Sequence, residues 1–371
     1  MSGTISFLQV GDLHMDEADG MVSRARLAAI VAEVNERLGT AIDFVFLPGD
    51  NANHATPAQY AAIVEALAPL TRPWRVIAGD HDFEDGDLRA YAAAFPATAR
   101  AECEEIAGHR CIFLDIVSAG AGGPDFRVTM HDRRRLREEL ARAAALGQVP
   151  LMFMHAYPGD LAADAEEIAT AFAEGGVAFV ATGHTHYNEL LNDGHVVYGA
   201  VRSTAQIEED GARPGYAIVT VHDGVPSWRF RRIGAPWPFV QIVAPADYRM
   251  VTRPADARHV PRPGHVTIAA RIFGGGPETR VTMTVNGGVP QVMHFDALWR
   301  ADAMLVAGMN EVRVSAGDDS DVIHILARPA DNVPKRGPAI ALGCDAHAIG
   351  AWPEHGIAGA QLGPNKNGAP Q

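Results

Sequence analysis

Five apolar runs in this chain end on residues that bind metal ions and move protons. After "FLQV" come Gly11, Asp12, Leu13 and His14; after "FVFLP" come Gly49, Asp50 and Asn51; after "WRVIA" come Gly79, Asp80, His81 and Asp82. "LMFM" runs straight into His155, and "AFVAT" is followed by Gly183, His184, Thr185 and His186. A lone Gly-Asp is ordinary turn chemistry. Five runs that close on aspartate, histidine or both form a set, and the residue types suit one purpose. Carboxylate oxygens are hard donors and imidazole nitrogens borderline ones, a mixture that fits manganese, iron or zinc. Two ions ~3.5–4 Å apart, of the kind used for in-line displacement at phosphorus, need a shared carboxylate and imidazoles to complete each shell. Gly11, Gly49, Gly79 and Gly183 read as places where the backbone turns sharply and a Cβ would obstruct it.

These residues need a scaffold that brings run ends together. From residue 4 to 233 short apolar runs alternate with amphipathic stretches: "TISFLQV", "DFVFLPG", "WRVIAG", "CIFLDI", "LMFMHA", "VAFVATG", "HVVYGAV" and "YAIVTV". Their length and their β-branched and aromatic content predict buried strands. Thr56, Pro57 and Gln59 predict a helix start with a capping box and proline at the first helical position. "DRRRLREELARAAALG" predicts a helix from Asp132 to a cap at Gly147. The result is an α/β layered domain over residues 1–235, with ligands in the crevice beyond the carboxyl ends of its strands. From "IGAPWPFVQIVAP" the texture changes to prolines and alternating strands, with Asn286-Gly287 as a hairpin turn. Residues 236–328 therefore read as a small all-β, immunoglobulin-like sandwich with Phe273, Phe295 and Trp299 in its core. Residues 329–371 read as a Gly/Pro-rich tail, extended, with Lys366 near its end.

The ordered motifs "GDLH", "GDNAN", "GDHD", "FMHAYP" and "GHTH" resemble the calcineurin-like metallophosphoesterase family. The short spacings, and "YAAAF" after "GDHD", resemble its bacterial cyclic-nucleotide phosphodiesterase and glycerophosphodiesterase branch. The resemblance implies a four-layer α/β/β/α sandwich with a two-metal centre of manganese, iron or zinc, divalent or mixed-valence. It implies Asp12, His14 and His186 on the first metal, Asp50 bridging, and Asp80, His155 and His184 on the second. A hydroxide between the ions would attack phosphorus, and His81 would stabilise the transition state or protonate the departing alkoxide. Asp82 would orient a ligand or the turn. The family pattern is "GNHD", and this chain has Asp80 in place of the asparagine. Three carboxylates then face two dications, leaving about +1 where the usual pattern leaves about +2, which favours diesters over monoesters.

Composition narrows the partners. The chain has 371 residues, 47% apolar and 20% charged, with a formal charge of −14. That balance argues against DNA and RNA, because affinity for a polyanion comes mainly from Lys and Arg; a nuclease is disfavoured on the same ground. The basic cluster "RRRLR" at 133–137 reads as a solvated helix face paired with Glu138 and Glu139. No segment approaches the roughly 20 apolar residues of a membrane span. The opening "MSGTISFLQVGDLH" reads as a first strand and not a leader, so a cytoplasmic location is expected. Cys103, Cys111 and Cys344 read as reduced thiols. The expected partner is a small phosphodiester, a 3′,5′-cyclic nucleotide or a glycerophosphodiester, with homo-oligomer formation through the β-domain. The alternatives are a phosphomonoesterase on the same site, or a metal-binding scaffold impaired by Asp80. His54 reads as a solvated loop histidine, and Asn51 and Asn53 as turn or phosphate contacts.

Overall fold

The computed structural model describes residues 3–84, 86–207, 209–329 and 347–359 of the chain. Cys344 and Lys366 lie outside them. Along the first two-thirds the strands are β1 (Thr4–Val10), β2 (Phe44–Leu47), β3 (Trp74–Val76), β4 (Cys103–Ile106), β5 (His109–Phe113), β6 (Val149–Phe153), β7 (Phe179–Thr182), β8 (Glu189–Asn192), β9 (Val197–Ala200), β10 (Gly215–His222) and β11 (Val225–Arg232). The helices are α1 (Val22–Glu33), α2 (Pro57–Leu67), α3 (Arg89–Ala94), α4 (Met130–Leu146) and α5 (Ala165–Gly175).

Two mixed sheets result, one in the order β11-β10-β1-β2-β3 and the other β4-β5-β6-β7-β9-β8. They pack face to face because alternate residues of each strand are large and apolar. Phe7 and Phe44 from one sheet stack at 5.2 Å, and both approach Phe153 from the other. The next residues along the same strands, Leu8 and Val45, face the opposite way and pack on Leu27, Ile30 and Ile63 of α1 and α2. Ile112, Met152 and Val180 of the second sheet pack likewise on Leu136, Leu140 and Phe172 of α4 and α5. The layers are therefore helix, sheet, sheet, helix.

All eight apolar runs form strands. The sequence reading passed over β4, β8 and β11, whose patterns are broken by charge. In β11 the buried Arg229 and Arg231 explain why: their guanidinium groups lie over the rings of Phe239 and Trp237 at 4.5 and 3.6 Å. The capping box at Thr56 and the Gly147 cap are present. Helix α4, however, starts earlier than Asp132. Thr129 is its N-cap, its hydroxyl accepting from the Asp132 amide and donating to the Asp132 carboxylate. The basic cluster at its start is paired as a solvated face would be, Arg134 with Glu138 and Arg133 with Asp164, while Glu139 pairs instead with Arg110.

Further strands follow the turn after β11: β12 (Phe239–Ala244), β13 (Gly264–Phe273), β14 (Val281–Val285), β15 (Gln291–Val292), β16 (His294–Asp296), β17 (Leu298–Leu305), β18 (Gly308–Ala316) and β19 (Asp319–Ala327). They make two antiparallel sheets, β12-β13-β17-β16 and β15-β14-β18-β19. Asn286 and Gly287 turn the chain after β14 with φ of 50° and 69°. Phe273 and Trp299 are buried, but Phe295 is 51% exposed, a correction to the core reading. It sits on a three-residue strand at the edge of its sheet, with no neighbour beyond it among the described residues. The buried cluster of these sheets is continuous with that of the first two, through Val240 and Ile242 to Val219 and Trp228.

The segment 347–359 packs back on the molecule. Trp352 and Ile357 are buried, and His355 bonds both the Trp228 carbonyl and the Asp321 carboxylate at 2.7 Å. Gly356 O accepts from Asn188, two residues past His186. No described helix is long and apolar enough to cross a membrane.

Candidate metal centre

Strands β1, β2 and β3 run parallel, as do β5, β6 and β7, so their carboxyl ends lie together at one edge of each sheet. Three loops from one sheet and two from the other meet there. Asp12, His14, Asp50, Asp80, His155, His184 and His186 all come together, each between 0 and 8% exposed. They form two groups, Asp12, His14, Asp50 and His186 in one and Asp50, Asp80, His155 and His184 in the other. Within each, one donor atom per residue lies within 4.8 Å of the rest.

Asp50 belongs to both groups through different oxygens. Its Oδ2 is 3.5 Å from His14 Nε2, and its Oδ1 is 3.5 Å from His155 Nε2. Asp80 Oδ1 lies 3.2 Å from His155 Nε2 and 3.5 Å from His184 Nδ1. Asp12 Oδ2 is 3.5 Å from His186 Nε2 and accepts a hydrogen bond from the His184 amide at 2.7 Å.

The backbone is bent to make these approaches. His14, Asp50, His184 and His186 have φ of 38°, 48°, 68° and 62°, a region that costs a non-glycine residue on the order of 1 kcal/mol. Of the four glycines, only Gly49 has positive φ. The other three are there for space. A Cβ on Gly79 would stand 2.2 Å from Asp50 Oδ1, and one on Gly183 2.1 Å from Asp12 Oδ1.

The protein alone does not balance this cluster, which is the test of whether cations fit it. His155 Nδ1 donates to the Pro48 carbonyl, so in the neutral ring Nε2 carries a lone pair aimed at two carboxylates. His14 Nδ1 donates to Asn53 Oδ1, so its Nε2 lone pair faces His186 Nε2 at 2.8 Å. Asp12 Oδ1 is buried with no hydrogen-bond partner. The charge states follow the same pattern. Burial pushes the Asp12 carboxyl up to about 7, with the Asp50 charge adding to it and His155 opposing. Burial, then the neighbouring His14, push His186 down to about 3. His155 goes up, because Asp50 and Asp80 outweigh the burial that opposes its charge. Buried charges of this density are stable when paired or coordinated. Hard oxygens and borderline nitrogens around two adjoining spaces therefore fit two divalent ions.

His81 lies beside the first group, half-buried, its ring 4.6 Å from that of His14. Its amide donates to Asp50 Oδ1 at 3.0 Å and its Nδ1 to the Asn53 carbonyl at 2.9 Å, leaving Nε2 free to meet a ligand. Asp82 is buried and accepts from the amides of Asn51 and Gly79, from the Asn51 side chain and from the Tyr60 hydroxyl. It joins the β2 loop to the β3 loop and both to α2. Asn51 thus shapes the turn. Asn53 holds His14 with its side chain and His81 with its carbonyl, and donates to Asp16 and His54. His54 is exposed and bonded to Glu84. The sequence reading left Asn53 open and did not reach Tyr60. A buried tyrosine needs a hydroxyl partner, but the partner is visible only once α2 is docked.

The family described as Calcineurin-like phosphoesterase matches residues 5–188. No curated protein matches the chain. Among solved structures, a dimetal phosphatase from Danio rerio is similar at 12% identity over 62% of this chain and 96% of that one, with a TM-score of 0.49. A purple acid phosphatase from yellow lupin (Lupinus luteus) seeds is similar at 14% identity over 64% and 53%, with a TM-score of 0.47. Ligand types, strand ends and the match to the calcineurin-like phosphoesterase family coincide on the same stretch, residues 5–188 of this chain.

Proposed function

We propose that the protein hydrolyses a small phosphodiester at a centre of two manganese, iron or zinc ions, with 3′,5′-cyclic nucleotides and glycerophosphodiesters as the substrate classes. The observation that carries the reading is the meeting of seven buried oxygen and nitrogen donors in two groups that share Asp50. Asp12, His14 and His186 would hold one ion and Asp80, His155 and His184 the other, with Asp50 belonging to both groups. Such ions, when bound, supply positive charge to phosphoryl oxygens and lower the pKa of coordinated water. The protein's own groups do the rest. Asn53 orients His14 and His81 together; burial opposes charge on the His81 ring, but Asp50, the Asn53 carbonyl and Asp80 outweigh it, so the charged ring carries a second proton on Nε2, which passes to the leaving alkoxide oxygen. Asp82 keeps the two loops at a fixed separation.

Charge supports a diester. Asp12, Asp50 and Asp80 leave about +1 on two dications, which favours a monoanion relative to a dianion. Asp16 and Glu84, each one or two hydrogen bonds from Asn53, add negative charge at the rim. We read the two added sheets as an immunoglobulin-like module through which copies of the chain associate.

The test is turnover by the manganese-loaded protein of bis-p-nitrophenyl phosphate, p-nitrophenyl phosphate, cyclic nucleotides and glycerophosphodiesters. Diester kcat/KM should exceed monoester kcat/KM. His81→Ala should keep both metals and lose ~10²–10⁴-fold on alkyl diesters, with a smaller loss on nitrophenyl esters, whose leaving group needs no proton. A monoester preference in the unaltered protein would instead establish a phosphomonoesterase, and no turnover of any ester a binding scaffold.

A further inference from the structure

We infer that the two metal pockets are equivalent, take the same divalent first-row ion, and are filled without preference for either, and that Asp80 is the residue that makes them so. The inference rests on the two-metal reading above and concerns how that centre loads.

Each pocket has two carboxylates and two imidazoles. Asp50 gives one oxygen to each, so each pocket owns one private carboxylate and half of a shared one. The private carboxylates are Asp12 and Asp80, and both are buried. Each pocket also has one carboxylate oxygen that accepts a backbone amide. In the first pocket Asp12 Oδ2 accepts the His184 amide at 2.7 Å, and in the second Asp50 Oδ1 accepts the His81 amide at 3.0 Å. One imidazole of each pocket is locked by a hydrogen bond from its far nitrogen, His14 to Asn53 and His155 to Pro48. Neither group contains a thiolate or a phenolate to draw a softer or a trivalent ion to one side. A neutral side chain at position 80 would remove a full negative charge from one pocket only and make the pair unequal.

Equal pockets share the first ion evenly, whatever the repulsion felt by the second. Anomalous diffraction from crystals of metal-free protein given one equivalent of Mn²⁺ reads this directly. The two pockets of the unaltered protein should show equal occupancy, within about twofold. Asp80→Asn should shift the single ion to the pocket of Asp12, His14 and His186 by at least ~10-fold, and Asp12→Asn should shift it the other way. A single ion that chooses one pocket of the unaltered protein overturns the inference and leaves the two-metal reading intact. Even occupancy in Asp80→Asn overturns the role given to Asp80. No ion in either pocket at saturating Mn²⁺ overturns the two-metal reading itself, and the inference with it.

Discussion

The substitution Gly79→Ala adds one methyl group at the closest approach between the β3 and β2 loops. The new Cβ would lie 2.2 Å from Asp50 Oδ1, 2.3 Å from Asp50 N and 2.7 Å from His155 Cε1. Carbon and its non-bonded neighbours settle at about 3.5–4 Å, so the shortfall is at least about 1.2 Å on the two Asp50 atoms and about 0.8 Å on the His155 carbon. None of them can yield locally. Asp50 N is backbone in a residue already at φ 48°, and His155 is held by the Pro48 carbonyl. Relief comes only if the β3 loop backs away, carrying Asp80 and His81 and breaking the bonds Gly79 N to Asp82 and His81 N to Asp50. Overpacking of this kind costs about 1–3 kcal/mol in stability. A displacement of ~1 Å at reacting groups costs ~10²-fold in rate, or about 2.7 kcal/mol in activation free energy. The expected variant is folded, loses metal first from the pocket of Asp80, His155 and His184, and falls ~10²-fold or more in kcat/KM on bis-p-nitrophenyl phosphate. Gly20→Ala is the control. Gly20 has φ 75° with no atom within 4 Å of an added Cβ, so strain of about 1 kcal/mol should appear in urea unfolding while metal content and rate stay unchanged. A Gly79→Ala protein with two metals and a rate within about threefold of the parent would refute the reasoning.

Two further substitutions test the supports. His355→Ala leaves Asp321, fully buried, with the Ile242 amide at 2.7 Å as its one direct partner among the described residues, and should cost ~3–5 kcal/mol at pH 7. In the parent, burial pushes the Asp321 carboxyl up, but the His355 ring and Arg229 outweigh it and hold the group below its ordinary range. Its contribution is therefore present above the unfolded carboxylate pKa of ~3.9 and lost as pH falls through the lower folded value. Without His355 the buried carboxyl takes up a proton more readily, so the gap between parent and variant in urea unfolding should be wide at pH 7 and narrow at pH 4.5; an equal gap at both would contradict this account. Tyr60→Phe removes the hydroxyl 2.9 Å from Asp82 Oδ1 and should cost about 1–3 kcal/mol by calorimetry. Four donors to Asp82 remain on the β2 and β3 loops, the amides of Asn51, Ala52 and Gly79 and the Asn51 side chain, so both metals should be retained; metal loss would show that α2 holds the site more directly than the contacts indicate.

Much of this protein is written locally. An apolar run buries itself, a glycine and an aspartate end it, and the alternation of Phe7 with Leu8 sets which face meets the other sheet and which the helices. That is why eight strands, the α2 capping box and the identity of the polar residues at the strand ends could be read from residue order: each depends on neighbours within a few positions. What the chain could not disclose alone depends on pairs far apart along it. Asp12 meets the His184 amide across 172 positions, and His155 meets the Pro48 carbonyl across 107. Only the sheet orders bring those ends to one edge, divide the two oxygens of Asp50 between two pockets, and turn Gly79 and Gly183 from apparent bends into spaces that a carboxylate occupies. The same cause explains the misses. Phe295 alternates like a core residue but lies on an edge, and the arginines of β11 look solvent-facing until Phe239 and Trp237 arrive to cover them. Hydrophobic pattern sets how much of a side chain would gain by burial; which neighbours supply it is decided by strand pairing, and pairing is a property of the whole fold.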